Sequence, residues 1–329
     1  MKKIAVIFMV MFCAIQMNAQ TQTTLRIYKG DTINKINSKG QKQGLWEESA
    51  GNALSRGYYI DGLKDGSWVL YHANNVLNKV ETYRNGKKNG VCVTIDDKGY
   101  YQSEEYYTDG IQDGVFKKYA PGGRLTSEIN YKNGMFWGAK KIFYENGKLM
   151  EDSYFENNVK TGVSYWYDMQ GKPVAEYNYV NGGFEGVQKT FYAKDTIQTL
   201  DTYKNDVPIG EHKEFFKSGK VKGTGQYVNG VKSGKWTEFA ENGKITKLSN
   251  YVNDLLEGAE KTSYESGKPW EELNYKNDKL EGKYKELYEN GKPKTIGTYL
   301  AGLKEGEWKT YGEDGKETIT KFEKGKEIK

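Results

Sequence analysis

Cysteine, histidine and proline are scarce in this sequence, and the scarcity excludes several kinds of site. Of 329 residues, two are cysteine, two are histidine and five are proline. Cys13 lies in the N-terminal apolar run, so removal of that run leaves only Cys92, which we interpret as a small apolar filler. His72 and His212 occupy unrelated positions and lack metal-ligand spacing. We therefore expect no disulfide, no metal site and no Ser-His pair.

Long apolar runs and an excess of one charge are also missing after the first residues. The single apolar run, residues 4–15, follows Lys2 and Lys3 and precedes Ala19, which predicts a secretory signal peptide over residues 1–19 with cleavage near Ala19. Without it, 47 basic and 44 acidic side chains remain, and they are interspersed. We therefore expect an exported protein, in the periplasm, at the cell surface or secreted, that binds neither nucleic acid nor membrane lipid.

Glycine at a fixed period is what the sequence has in place of these features. A glycine recurs every 24 residues from Gly66 to Gly306, with one more copy 22 residues earlier. A fixed period of this length is the signature of a repeat architecture. The twelve anchor glycines are Gly44, Gly66, Gly90, Gly114, Gly138, Gly162, Gly186, Gly210, Gly234, Gly258, Gly282 and Gly306. We predict one array over residues 41–325, preceded by an N-terminal cap at 20–40 and followed by a tail at 326–329.

Each repeat alternates strand-like runs with turn residues. Runs such as residues 235–239, Lys-Trp-Thr-Glu-Phe, are rich in β-favouring and aromatic residues. A second run ends in Asn-Gly or Asp-Gly, as at Asn229-Gly230, and where that glycine is lost only Asn or Asp replaces it, as a primed hairpin turn requires. An aromatic ladder stands seven residues before each anchor from Gly66 onward, at Tyr59, Tyr83, Tyr107, Tyr131, Phe155, Tyr179, Tyr203, Tyr227, Tyr251, Tyr275 and Tyr299.

The predicted fold is all-β: an elongated, twisted, single-sheet antiparallel meander of about twelve 24-residue β-hairpin repeats. A closed β-propeller is the alternative, because two repeats have the length of one blade, but odd and even copies do not differ as blades would require. Trp236 and Phe239 lie three residues apart, so either a bulge intervenes or both faces carry aromatics.

The anchor glycines accept no substitution, whereas the turn positions accept Asn and Asp. We attribute this to a glycine-only dihedral angle or to close approach of a neighbouring backbone or aromatic ring, for which the tyrosine ladder is the candidate. This interpretation predicts that Gly234→Ala destabilises the array more than Gly230→Asn.

The pattern Y-x-N-G-x-x-x-G-x-W, with N-G-K nine residues after the anchor, resembles the MORN-repeat variant of bacterial YwqK-type antitoxin proteins. The resemblance covers residues 41–325. It implies a role in binding and neutralising a partner toxin.

No catalytic constellation or cofactor motif is present in the sequence, so we do not expect an enzyme. Neighbouring carboxylates such as Glu271 and Glu272 would point to opposite faces of a strand. The leading hypothesis is a monomeric, non-enzymatic scaffold of the cell envelope or exterior that binds an unknown protein; the alternative is an envelope glycan-binding module that uses exposed Trp and Tyr. The candidate partner-binding residues are Trp46, Trp68, Trp137, Trp166, Trp236, Trp270 and Trp308.

Overall fold

Strands and turns make up the computed structural model, which describes residues 26–192 and 196–328. These ranges contain no helix, and therefore no helix long and apolar enough to cross a bilayer. The predicted signal peptide lies outside the described residues. The chain divides into two units, the first ending at Gly123 and the second beginning at Arg124.

Unit 1 is an antiparallel meander. Its strands are β1 (Arg26–Tyr28), β2 (Asp31–Ile33), β3 (Lys35–Ile36), β4 (Lys42–Ala50), β5 (Ala53–Ile60), β6 (Leu63–Tyr71), β7 (Leu77–Arg84), β8 (Lys87–Ile95), β9 (Tyr101–Thr108), β10 (Ile111–Gln112) and β11 (Gly114–Ala120). β1 pairs with β2 and β3 with β4, while each strand from β4 to β9 pairs with the next. Both β10 and β11 pair with β9, so they form one interrupted strand.

Unit 2 repeats the same hairpin. Its strands are β12 (Arg124–Lys132), β13 (Met135–Phe143), β14 (Leu149–Glu156), β15 (Val159–Tyr167), β16 (Pro173–Val180), β17 (Gly183–Phe184), β18 (Gly186–Phe191), β19 (Ile197–Lys204), β20 (Val207–Phe215), β21 (Val221–Val228), β22 (Val231–Lys232), β23 (Gly234–Phe239), β24 (Ile245–Val252), β25 (Leu255–Leu256), β26 (Gly258–Ser263), β27 (Pro269–Lys276), β28 (Lys279–Leu280), β29 (Gly282–Leu287), β30 (Pro293–Leu300), β31 (Leu303–Tyr311), β32 (Glu317–Glu323) and β33 (Lys326–Ile328). The strands pair antiparallel in chain order, and each two-residue strand forms one interrupted strand with the strand that follows it, because both pair with the strand before them.

The predicted open meander of hairpins is confirmed. Within the described residues of unit 2, β12 pairs with β13 and the last strand, β33, pairs with β32, and no pairing joins β12 to β33, so these two ends do not meet. The closed propeller, in which such ends would meet, is not formed.

Two kinds of turn alternate, as the glycine pattern predicts. In the two-residue turn, both residues have positive φ, 51° at Asn229 and 90° at Gly230, which defines the primed type. The other turn spans five residues: Ala240 N donates to Lys244 O at 2.8 Å, Gly243 N donates to Ala240 O at 2.9 Å, and φ at Gly243 is 84°. The prediction of positive φ at both turns is confirmed.

Hydrogen bonds between successive turns hold the repeats in register. Asp254 N donates to Lys232 O at 3.0 Å, and Asp254 Oδ1 accepts from Lys232 N at 2.6 Å. At the opposite end of the strands, Tyr264 Oη donates to Leu287 O at 2.9 Å. Asp at the second turn position therefore does more than tolerate positive φ, because its carboxylate satisfies a backbone donor of the preceding repeat.

The anchor glycines have positive φ, from 67° at Gly66 to 120° at Gly114. A Cβ added to Gly234 would meet no atom within 4 Å, so close approach of a neighbouring ring or backbone is wrong at this position. The positive φ of 68° remains as the reason for glycine there. At Gly114 a Cβ would lie 2.8 Å from Cβ of Tyr106, but Tyr106 does not belong to the tyrosine ladder.

Aromatic side chains lie on both faces of the sheet. Pairing of β23 with β24 is uninterrupted from Trp236 to Glu238, and the register shifts only where Phe239 pairs with Ile245. The extra residue, Thr246, belongs to the partner strand. Trp236 and Phe239 therefore follow the normal alternation and point to opposite faces.

The hydrophobic core is thin, as the composition predicts. The buried hydrophobic residues of the described ranges are Ile33, Tyr59, Trp68, Cys92, Ala175 and Trp308, and the buried polar residues are Ser127, Ser153, Ser164, Gln188, Thr237, Ser249 and Glu260. Cys92 is 6% exposed, and burial raises the pKa of its thiol, which agrees with a filler role.

Candidate functional site

The face that carries the tyrosine ladder, which we call the aromatic face, is built from chains of contacting rings. In unit 2, the centroid of Trp236 lies 5.3 Å from that of Tyr227 and 6.0 Å from that of Tyr251. Trp308 likewise lies 4.9 Å from Tyr299. The ladder tyrosines are thus joined through a ring placed between them, in the edge-on geometry that aromatic pairs prefer.

Three tryptophans of this face lie flat on a glycine of the neighbouring strand. A Cβ added to Gly225 would fall 2.1 Å from Cδ2 of Trp236. The same relation holds for Gly297 with Trp308 and for Gly57 with Trp68, each at 2.2 Å from the same atom. Each of these indoles therefore occupies the volume that any larger residue would need.

Lysines cover the outer side of the same rings. Lys232 Nζ lies 4.4 Å from the centroid of Trp236, and Lys304 Nζ lies 4.3 Å from that of Trp308. Both distances lie in the cation–π range, and the lysine side chains shield the two indoles from solvent. The aromatic face is therefore largely an internal packing surface closed by charged side chains.

Carboxylates on this face are paired with lysines. Glu151 accepts hydrogen bonds from Lys160 Nζ at 3.0 Å and from Ser153 Oγ at 2.9 Å. Burial raises the pKa of Glu151. The hydrogen bonds from Lys160 and Ser153 and the positive charge of Lys160 together lower it more, so the pKa lies below its usual value. At Tyr284, burial and the hydrogen bond to Glu271 raise the pKa of the phenol. Both shifts favour the hydrogen-bonded forms seen in the fold.

These shifts predict a stability plateau between about pH 5 and pH 10. Carboxyls such as Glu151 have a usual pKa of 4.5 in the unfolded chain and a lower pKa in the fold. Their contribution to stability is therefore complete above pH 4.5 and is lost as the pH falls. Tyrosines such as Tyr284 have a usual pKa of 10.0 in the unfolded chain and a higher pKa in the fold. Their contribution to stability is therefore lost as the pH rises above 10.0. Urea midpoints between pH 3 and pH 11 test this, with Tyr284→Phe expected to show a shallower alkaline loss. A midpoint that does not fall between pH 5 and pH 3 would contradict the acid limb.

The two histidines have separate structural contacts. His72 Nε2 lies 2.8 Å from Ile95 O, and His212 Nδ1 lies 2.6 Å from Asp201 Oδ1. Within the described ranges, no group of three or more His, Cys, Asp or Glu side chains is arranged to hold a metal ion.

A row of exposed aliphatic side chains follows the two-residue turns of unit 2. We call it the turn-edge row; its members are Val159, Val180, Val207, Val228, Val252, Leu255, Leu300 and Leu303, and their exposed fractions run from 38% to 54%. Val252 and Leu255 pair directly across a turn. Val207 also approaches the next turn, since a Cβ at Gly230 would lie 3.2 Å from Val207 Cγ1. The row is therefore continuous across the turn between Val252 and Leu255, and from Val207 to the turn at Gly230.

A cleft in the described part of unit 2 has a volume of about 650 Å³. It lies beside β24, β26, β27 and β29, and Trp270, Lys261, Glu272 and Lys285 line it. A second cleft of about 410 Å³ lies over the aromatic face at Trp236.

Six segments match the family model of the MORN repeat variant. They are residues 112–133, 138–157, 208–229, 232–253, 256–277 and 280–301. Five of them begin two residues before an anchor glycine and end on the first residue of the next two-residue turn. These six segments of the array are MORN repeat variants. Such repeats indicate a repeat-type role in protein interaction.

Comparison with solved structures adds little to the MORN assignment. The crystal structure of TcdB2-TccC3-Cdc42 is similar over 89% of this chain and 17% of its own, with 10% identity and a TM-score of 0.19. The Tc holotoxin pore of Photorhabdus luminescens is similar over 88% of this chain and 17% of its own, with 12% identity and a TM-score of 0.17. No protein of curated function matches the chain.

The array places the seven candidate tryptophans in different surroundings. Trp68 and Trp308 are 0% and 3% exposed and lie inside the repeat. Trp46, Trp137, Trp166 and Trp236 are half-buried, and each lies beneath a lysine, Lys42, Lys132, Lys160 and Lys232 respectively. Trp270 is 40% exposed and lies at the 650 Å³ cleft. Reasoning from sequence grouped all seven and missed the turn-edge row, although its apolar residues flank the two-residue turns in the sequence.

Proposed function

We propose that this chain is a non-enzymatic scaffold that binds a partner protein through the turn-edge row. The observation that supports this is the row itself. Contiguous exposed apolar side chains are uncommon on soluble proteins unless they serve an interaction, and here they recur in most repeats of unit 2. Val228 is 47% exposed and Val252 is 49% exposed, although both belong to paired strands.

The spacing of the row favours an amphipathic helix as the occupant. Successive repeats are two strands apart, which corresponds to roughly 9.6 Å. Seven residues of an α-helix rise by about 10.5 Å. A partner helix with apolar residues at heptad spacing would therefore place one side chain against each repeat, in the helix-in-groove manner of recognition.

Charge substitutions in the row test the scaffold. A partner is first purified with the wild-type chain, identified, and titrated against variants. Val228→Lys, Val252→Lys and Leu255→Lys combined should weaken binding at least tenfold, because lysine cannot be desolvated against an apolar helix. Val174→Lys is the control, since Val174 is 42% exposed outside the row.

Thermal melts should be nearly unchanged for both variants, because all four side chains are exposed. Equal loss of binding in the row variant and in the Val174→Lys control would rule out the row as the binding surface.

We also propose that this chain is exported and that it neutralises its partner. Export is supported by the signal-peptide pattern at residues 1–19, and neutralisation by the resemblance to YwqK-type antitoxins. Fractionation of the native host tests the first. For the second, expression of the identified partner alone should inhibit growth, and co-expression with this chain should restore it.

A glycan ligand is the second candidate function, and one observation favours it. Stacking of a sugar ring needs an indole face open to solvent. Among the seven tryptophans, all of which lie in described ranges, Trp270 alone is exposed.

A further inference from the structure

The cleft at Trp270 arises where two positions depart from the repeat. Five residues after the anchor, most copies have an aromatic ring, as at Phe215, Phe239 and Tyr311, but this repeat has Ser263. Ser263 lines the cleft, so the missing ring accounts for part of its volume. A second departure is Trp270 itself. Its equivalents in the neighbouring repeats are Thr246 and Lys294.

These two departures lie on the same wall. Ser263 pairs with Pro269, the residue before Trp270, at a register shift between β26 and β27. Trp270 does not simply replace the missing ring, because its side chain stays 40% exposed and the cleft remains at about 650 Å³. This volume lies within the range of small-molecule sites.

The lining combines one open aromatic surface with polar groups of both signs. The indole of Trp270 lies 6.0 Å from the ring of Tyr264, centroid to centroid. Lys261 Nζ and Glu272 Oε1 form an ion pair at 3.2 Å, and Lys285 also lines the cleft. Three lysines and two glutamates line it in total, so the charge is nearly balanced.

A wall hydroxyl is also unsatisfied. Ser266 lines the cleft, and its Oγ is shielded from solvent and has no hydrogen-bond partner among the described residues.

We propose that the Trp270 cleft binds an uncharged oligosaccharide. The C–H face of a sugar ring would stack on the open indole, and its hydroxyls would exchange hydrogen bonds with Lys261, Glu272 and Lys285. Near-balanced charge fits a neutral polyol better than an anion or a cation, which would leave charges of one sign unpaired. The proposal deepens the second candidate function, glycan binding, and does not depend on the scaffold role.

Two opposite substitutions test the site in the full chain. The probes are neutral tetrasaccharides of N-acetylglucosamine and of glucose, followed by calorimetry and tryptophan fluorescence. Trp270→Ala removes the stacking surface, and Ser263→Phe restores the ring of the repeat and fills the cleft. Each should weaken binding of the preferred tetrasaccharide at least tenfold, and Ser263→Phe should do so without lowering the melting temperature. Tyr154→Ala, an exposed aromatic outside the cleft, should bind as wild type.

The outcomes separate the site from the function. If wild type binds and both variants bind equally well, the Trp270 cleft is not the site, and glycan binding lies elsewhere on the chain. If wild type binds neither tetrasaccharide, the site and the glycan function both fail, while the scaffold proposal is untouched.

Discussion

Gly225→Ala is expected to lower the free energy of unfolding by about 3 kcal/mol, the upper end of the usual cost of overpacking. The added Cβ would fall 2.1 Å from the indole of Trp236, and that ring is itself held by Tyr227, Tyr251 and Lys232. The ring must move, and its ordered neighbours must move with it. Urea titration followed by tryptophan fluorescence measures the loss.

The same strand supplies a matched control. Gly223 also lies in β21, has no positive φ, and would place a Cβ no nearer than 3.7 Å to any atom, so Gly223→Ala should be within about 0.5 kcal/mol of wild type. Gly234→Ala should cost about 1 kcal/mol, because its space is free and only its φ is strained. If Gly225→Ala costs no more than Gly223→Ala, the indole does not lie on the glycine.

Most of the fold is predictable because the same hairpin recurs along the chain with different residues at equivalent positions. Turn positions that exchange Gly230 for Asp254 or Asn158 report positive φ directly, and the two turns then define hairpins without an alignment. The reason for the anchor glycine was only half predictable. An invariant glycine is compatible with strain or with crowding, and at Gly234 the structure leaves space beside the Cα.

The contact between tryptophan and glycine could have been predicted from a spacing in the sequence. Glycine stands eleven residues before the tryptophan at Gly57 and Trp68, and again at Gly225 and Trp236. In other repeats the same two positions hold different pairs, such as Ser249 with Glu260, whose side chains are 2.6 Å apart. Such exchange between copies indicates contact, so these cross-strand contacts could have been predicted.

The candidate site could not be predicted in the same way. Whether a tryptophan is buried depends on the side chains that close over it. Trp236 and Trp270 stand at different repeat positions, but only the structure shows that Lys232 covers the ring of Trp236 and that Trp270 is 40% exposed. The missing ring at Ser263 is visible in the sequence, but the volume that it leaves is not.

Trp68→Ala should have the largest effect of any single tryptophan substitution, a loss of about 4 kcal/mol, as expected for a fully buried aromatic. Trp68 is 0% exposed, its ring lies 4.9 Å from Tyr59, and its Nε1 donates to Tyr58 O at 3.0 Å. Truncation leaves a cavity and an uncovered glycine at once. Trp68→Phe should lose less, because part of the volume is kept.

Trp270→Ala is the matched comparison, and its cost should stay below about 1 kcal/mol because its side chain is exposed. In a repeat array each copy contacts its neighbours, so losing Trp68 should weaken the adjoining hairpins more than distant ones. Hydrogen exchange by peptide can resolve this: protection should fall first in β5, β6 and β7. Equal costs for Trp68→Ala and Trp270→Ala would mean that burial against Gly57 does not separate the structural tryptophans from the exposed one.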